Sequence, residues 1–275
     1  MDMWKWIAIF LALVLIKTEV RASESDGLQA LLTGDDARGW RAVGRVEFAG
    51  RAFCTGALIE EDLVLTAAHC LRDKETGRRF APEEIRFLAD WRAGRASAYR
   101  GVRAVAIHPG FAPGADTALG RAAHDIALLR LDQPIRNGTI KPFATGRRPG
   151  KGARVGVVSY AHDRAESPSL ERDCGVLARS GGALILSCQV DFGSSGAPVF
   201  SFEDGAARIV SVISAKAEAR GRKVSVASAV EGSLEEVMAL IGPSPNRAPT
   251  ANGPRILRLG NGMPRHETGA RFLRP

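Results

Sequence analysis

This sequence predicts an all-β fold, a barrel or sandwich, finished by a single terminal helix. Three observations carry that expectation. Apolar or alternating runs are brief, clusters of Gly, Pro, Asp and Asn separate them, and only two stretches have helical character. With 30 Gly and 14 Pro among 275 residues, the chain is richer than average in turn formers. At 45% apolar and 25% charged it can bury a sizeable core. That composition excludes a disordered polyelectrolyte, a collagen-like repeat and a disulfide-dense mini-protein.

Taken in order, the N-terminus reads as an export signal over residues 1–22. Lys5 supplies the positive start, Ile7 to Ile16 is an unbroken apolar run, and Val20-Arg21-Ala22 places small side chains before a cleavage point at Ser23. Ten helical residues span about 15 Å, half a bilayer core, so a membrane anchor is not expected. Strands are expected around Leu63-Val64-Leu65, Val102 to Ile107, Ile126 to Leu129, Ala153 to Tyr160, Leu184 to Leu186, Val199-Phe200 and Ile209 to Ile213. A helical turn is expected at Ala67 to Leu71. A helix is expected over Ser233 to Ile241, capped by Ser233, with Glu235 and Glu236 in its first turn and Gly242-Pro243 as its stop.

Residues 242–275 change character: six Pro, six Arg, no Lys, and Glu267 as the one acid, a composition that favours disorder. The net charge of +8 suggests an acidic partner until it is partitioned. The signal carries three cations and two anions and the tail six and one, which leaves +2 on residues 23–241. The folded part is nearly neutral, so no nucleic acid is expected as a partner.

Three separated segments carry the chemistry. They are Cys54-Thr55-Gly56-Ala57-Leu58-Ile59 running to Leu65-Thr66-Ala67-Ala68-His69-Cys70, then His124-Asp125-Ile126-Ala127-Leu128-Leu129, then Gly193-Ser194-Ser195-Gly196-Ala197-Pro198-Val199. In that order they resemble the chymotrypsin-like (trypsin-fold) serine peptidases, over roughly residues 40–241. The resemblance implies two six-stranded antiparallel barrels with a C-terminal helix and a site in the cleft between them. The first barrel would span 23–143, and the second, with the terminal helix, 144–241. A serine hydroxyl is a weak nucleophile at neutral pH and needs a base. By resemblance His69 is that base, Asp125 orients its imidazole, and Ser195 is the nucleophile. The backbone N–H groups of Gly193 and Ser195 would form the oxyanion hole. The resemblance also pairs Cys54 with Cys70 and Cys174 with Cys188, which suits an exported protein.

The departures from the family pattern are informative. Ser194 stands where activatable members carry an Asp that binds a newly cut N-terminus, so that ion-pair switch is not expected. With Gly-x-Ser-Gly-x-Pro around the nucleophile, this resembles the bacterial glutamyl-endopeptidase-like secreted branch. Gln189 stands where trypsin-type members place the acid that selects Arg or Lys. The expected substrate pocket is Gln189, Val190, Ser214, Ala215 and Lys216, with Ser214 to Lys216 pairing a substrate strand. The sequence leaves open whether Lys216 favours an acidic side chain or faces solvent.

The expected activity is peptide-bond hydrolysis on a polypeptide substrate, with no cofactor and no metal site, since the remaining histidines lack partners at ligand spacing. A monomer is expected, and Arg over Lys at 31 to 7 hints at a GC-rich bacterial source, hence a periplasmic or extracellular location. Two rival readings are a non-catalytic homologue acting as a binding or adaptor protein and a tail-driven binder of anionic surfaces.

Overall fold

The computed structural model describes residues 27–219 and 221–244. The expected signal and all but the first three residues of the expected tail lie outside the described residues. Two closed antiparallel barrels account for nearly all of the strand structure. The first contains β2 (Val43–Phe48), β3 (Ala52–Glu60), β4 (Leu63–Thr66), β5 (Ile85–Ala89), β6 (Ala98–Ile107) and β7 (Ala127–Leu131). They close in the order β2-β3-β4-β7-β6-β5. The second contains β8 (Arg154–Ala161), β9 (Arg164–Ser180), β10 (Ala183–Leu186), β11 (Pro198–Ser201), β12 (Arg208–Ala219) and β13 (Arg222–Ala229). Its order is β9-β10-β13-β12-β11-β8, closed by a β8–β9 pairing. The six-stranded barrels that the resemblance implied are both present, joined by a crossover from Asp132 to Ala153.

All seven strand expectations fall on strands, and each of these elements extends beyond the apolar run that announced it, while Ile126 and Ala153 lie one residue ahead of β7 and β8. β12 continues from Ile213 to Ala219, and β13 pairs with it along the whole extension, so the two leave the barrel as a ribbon. A short first strand, β1 (Leu28–Ala30), pairs with Ser169 to Glu171 of β9, so this N-terminal segment completes the sheet of the second barrel.

Helix α1 (Ala118–Ala122) is capped by Thr117, whose hydroxyl accepts from Gly120 N–H. Helix α2 (Ser233–Ile241) has the expected bounds. Its N-cap, however, is Gly232 at φ +82°, with Ser233 buried inside the first turn and no side-chain cap. The glycine makes the turn that a capping serine cannot, because L side chains avoid that φ. Nine residues make a marginal helix in isolation. Here α2 buries Val237 completely and packs Leu234, Met238 and Ile241 on the core. It lies on β6 and β7, hence on the first barrel although it follows the second in sequence. Arg130, buried on β7, reaches Gly242 O at 2.7 Å and holds the helix end there.

One apolar core bridges the barrels. Phe200 meets Trp40 and Phe143 edge to face at 5.0 and 4.7 Å, and Trp40 and Phe143 lie tilted at 6.1 Å, with Tyr160 and Val212 in the same cluster. Such aromatic pairs contribute about 1 kcal/mol each beyond burial. The barrels are therefore pinned back to back, which fixes the cleft opposite. Two disulfides, Cys54–Cys70 and Cys174–Cys188, match the implied pairing.

Candidate active site

The first barrel presents an imidazole. β4 delivers the chain into a 3-10 turn, Ala68–Leu71, whose Ala68, Cys70 and Leu71 are buried. The turn leaves the His69 side chain facing the cleft, 29% exposed. The disulfide from Cys70 to Cys54 ties that turn to β3. Asp125 sits just ahead of β7, 1% exposed. Its backbone N–H donates to Ser228 Oγ at 3.1 Å, and Ser228 Oγ–H donates to Ala122 O, so the second barrel steadies the turn.

Three donors meet the Asp125 carboxylate. Oδ1 accepts from the His69 backbone N–H at 2.8 Å, while Oδ2 faces His69 Nδ1 at 2.6 Å and Ser214 Oγ–H at 2.5 Å. A buried carboxylate facing Nδ1 draws the proton to that nitrogen and leaves Nε2 free to accept one.

The second barrel presents a hydroxyl on a turn. Between β10 and β11 the segment 191–197 has nearly every carbonyl engaged. Phe192 O accepts from His162 N–H at 2.7 Å, Gly193 O from Thr55 Oγ1–H at 2.9 Å, Ser194 O from Ala197 N–H at 3.0 Å and Ser195 O from Thr55 N–H at 2.8 Å. The amides of Ser194, Gly196 and Ala197 are likewise taken, by Asp191 O, Ile213 O and Ser194 O. Among the described residues, no acceptor meets the N–H of Gly193 or of Ser195. In a planar trans peptide the N–H points opposite to the C=O. Anchoring the carbonyls of Phe192 and Ser194 therefore fixes the direction of each of those two free amides.

Gly193 adopts φ +96°, and a Cβ on it would lie 2.5 Å from the Phe53 ring. Gly196 is as tight, with a Cβ 2.2 Å from Thr55 O. Both glycines are demanded by close approach to β3. Ser194 is fully buried and uncharged, with its Oγ 3.1 Å from Tyr160 O and 3.4 Å from Ser159 Oγ.

Ser195 and His69 line the same two cavities, each about 240 Å³. No hydrogen bond joins their side chains among the described residues, and such contacts are often long before substrate binds. The first cavity is walled by the first barrel, with Phe53, Phe80, Arg72 and Lys74. The second is walled by Val190, Ile213, Ser214, Ala215 and Lys216, with Phe192 at its mouth. A larger cavity, about 600 Å³ and lined by Arg38, Arg41 and Lys141, touches none of the three motif residues and carries no argument for chemistry.

Of the expected pocket residues, Val190, Ser214, Ala215 and Lys216 line the second cavity and Gln189 does not. Gln189 is exposed, and its backbone N–H donates to the buried Glu171 at 2.8 Å. Lys216 Nζ is paired with Asp191 Oδ1 at 2.8 Å and lies 4.1 Å above the Phe192 ring. That pair, with help from Phe192 N–H, holds the Asp191 carboxyl below its usual range. Phe192 and Lys74 line the cleft without any sequence signal, and Thr55, inside the first motif, and Ile213, inside an expected strand, were not marked there as residues of the site.

The trypsin family model matches residues 33–235. Rabbit (Oryctolagus cuniculus) coagulation factor IX is 28% identical over 132 residues, which is 46% of this chain and 45% of that protein. The chain thus spans about half the length of that curated relative. The solved structure of a Glu endopeptidase superposes with a TM-score of 0.64 at 17% identity, covering 78% of this chain and 96% of that one. At that identity the likeness speaks for the fold. With the family match over most of the chain, the two barrels and the cleft between them, the protein belongs to the trypsin family.

Proposed function

We propose that this protein is a serine endopeptidase that cleaves polypeptides through an acyl-enzyme on Ser195, exported to a bacterial periplasm or exterior. The observation that carries the reading is the conjunction in one cleft of an imidazole oriented by a buried carboxylate, a serine hydroxyl and two unpaired amides. His69 Nε2 takes the Ser195 proton as Oγ attacks the scissile carbonyl, then gives it to the leaving amine. Asp125 stabilises the imidazolium without taking the proton. The amides of Gly193 and Ser195 receive the negative oxygen of the tetrahedral intermediate, and a lost donor there typically costs about 3 kcal/mol. Water then hydrolyses the ester by the same steps in reverse.

Substrate lies along Ser214 to Lys216 as an added strand. The side chain before the cleaved bond enters the cavity of Val190, Ile213 and Ala215, which favours a small uncharged residue. Lys216 is engaged by Asp191, and Gln189 faces away, so neither supplies a charge for that pocket. Among the described residues no helix is long and apolar enough to cross a membrane, which is compatible with export.

A fluorophosphonate probe is expected to label wild-type protein on Ser195 and to leave Ser195→Ala unlabelled. Folded wild-type protein that refuses the probe would overturn the enzymatic reading in favour of a binding or adaptor role. Cleavage of a peptide library should place Ala or Val before the cut, and a preference for Arg, Lys or Glu there would overturn the pocket assignment.

A further inference from the structure

The amides of the proposed oxyanion hole share their peptide planes with the Phe192 and Ser194 carbonyls; the peptide between those two, and the one that follows them, are tied through Gly193 O and Ser195 O to one residue of the opposite barrel. Thr55, on β3, is fully buried. Its backbone N–H donates to Ser195 O at 2.8 Å and its hydroxyl donates to Gly193 O at 2.9 Å. The same hydroxyl accepts from Tyr160 N–H at 3.1 Å, at the end of β8. His162, two residues further along, holds the Phe192 carbonyl. Thr55 O in turn accepts from Thr66 Oγ1 on β4 at 2.9 Å. The threonine therefore joins three elements: the strand leading to His69, the end of β8, and the loop carrying Ser195.

We propose that the Thr55 hydroxyl is a positioning residue that holds the oxyanion loop in its receiving shape. The proposal rests on the serine-peptidase reading above. The reasoning is local. Gly193 lacks a Cβ and sits at φ +96°, so its two flanking peptides rotate at little steric cost unless their carbonyls are tied. The Phe192 carbonyl is tied by a backbone amide, whereas the Gly193 carbonyl is tied by a side chain, that of Thr55. Buried Ser194 has no charge with which to bind a freed N-terminus. The loop is braced instead by neutral hydroxyls, Thr55 from one side and Ser194, against Tyr160 O, from the other. A hydroxyl that donates to Gly193 O and accepts from Tyr160 N–H uses both of its capacities, and no aliphatic side chain of that shape replaces either.

The test compares kcat and KM, per folded molecule, for wild type, Thr55→Val, Thr55→Ala and Thr55→Ser on one peptide ester. Thr55→Val and Thr55→Ala remove the hydroxyl and should lower kcat about 10- to 100-fold with KM within threefold, because the hole is used only as charge develops. Both should lose affinity for a peptide aldehyde, which forms the tetrahedral adduct, in proportion to kcat. Thr55→Ser keeps the oxygen and should stay within threefold of wild type in both measurements. A hydroxyl-free variant that folds and keeps its kcat would overturn the proposal. So would a folded Thr55→Ser whose kcat falls tenfold or more below wild type, which assigns the role to packing of the methyl group and is read whether or not the hydroxyl-free variants fold. Wild type inactive on the ester and refractory to the aldehyde sinks the peptidase reading itself. Active wild type with unaltered variants sinks the Thr55 role alone.

Discussion

On the first barrel, His69 is held by charge: a buried carboxylate collects the imidazole, the His69 amide and the Ser214 hydroxyl within 2.8 Å. On the second barrel, Ser195 is held by neutral hydrogen bonds to successive carbonyls, 2.7 to 3.0 Å long, from amides and one hydroxyl. The two halves answer different needs. In the proposed mechanism the base must carry a positive charge for part of the cycle, so a negative partner close by stabilises what forms. In that mechanism the loop must direct two donors at a charge that appears only in the transition state, so rigidity of peptide planes is what it requires. It follows that the first half depends on protonation and the second on space.

The largest effect expected is on the charged half. Asp125→Asn should reduce kcat about 10⁴-fold while circular dichroism and thermal midpoint stay close to wild type. An amide presents N–H where Oδ2 now accepts, so the imidazole is driven to the tautomer that cannot take the Ser195 proton. A loss of tenfold or less would mean that the carboxylate is not what orients His69. The spatial half is probed by Gly193→Ala. Its Cβ would sit 2.5 Å from the Phe53 ring in a backbone region that L residues avoid, so the loop must shift. A fall in kcat of about 10²-fold with KM nearly constant is expected from stopped-time ester assays. A variant with normal kcat would show that the loop tolerates displacement and that its anchors are ornamental.

How much of this was legible in the sequence divides along the same line. His69, Asp125 and Ser195 stand in the three motifs that carry the family resemblance, and it was that resemblance that implied the two barrels, since the short punctuated strands alone left barrel or sandwich open. What stayed hidden is long-range. β9 carries Arg164, Glu166, Pro168, Glu171, Arg172 and Asp173, a polar run that no alternation rule reads as a strand, yet it pairs with β8, β10 and β1. Thr55 lies 105 and 138 residues from the groups its hydroxyl joins, so nothing local marks it. Gln189 was expected in the pocket by counting back from Ser195. Its backbone is drawn to buried Glu171 and its side chain is left exposed, which counting cannot foresee. The helix at Ser233 to Ile241 was legible in extent, but an apolar stripe in the sequence does not name the barrel it covers, which is the first.

The smallest effect expected is a pH dependence that should belong to the first barrel. His108 follows β6, is buried, and stacks on His124 at 4.5 Å, one residue before Asp125. Its Nδ1 accepts from Gly110 N–H at 3.0 Å, and Nε2 lies 3.5 Å from Glu236 of α2. Burial, then the neighbouring His124, push its proton affinity below that of a free histidine, and Glu236 only partly opposes this. The sign follows from linkage. The unfolded chain binds the proton first, so stability is full above about pH 6.5 and declines as pH falls from there toward the lowered folded value. His108→Asn keeps an acceptor for Gly110 N–H without titrating. Between pH 7 and 5 its thermal midpoint should therefore fall less than that of wild type, by roughly 1–3 °C. Equal slopes in the two proteins would remove His108 from the account of how the first barrel responds to acid.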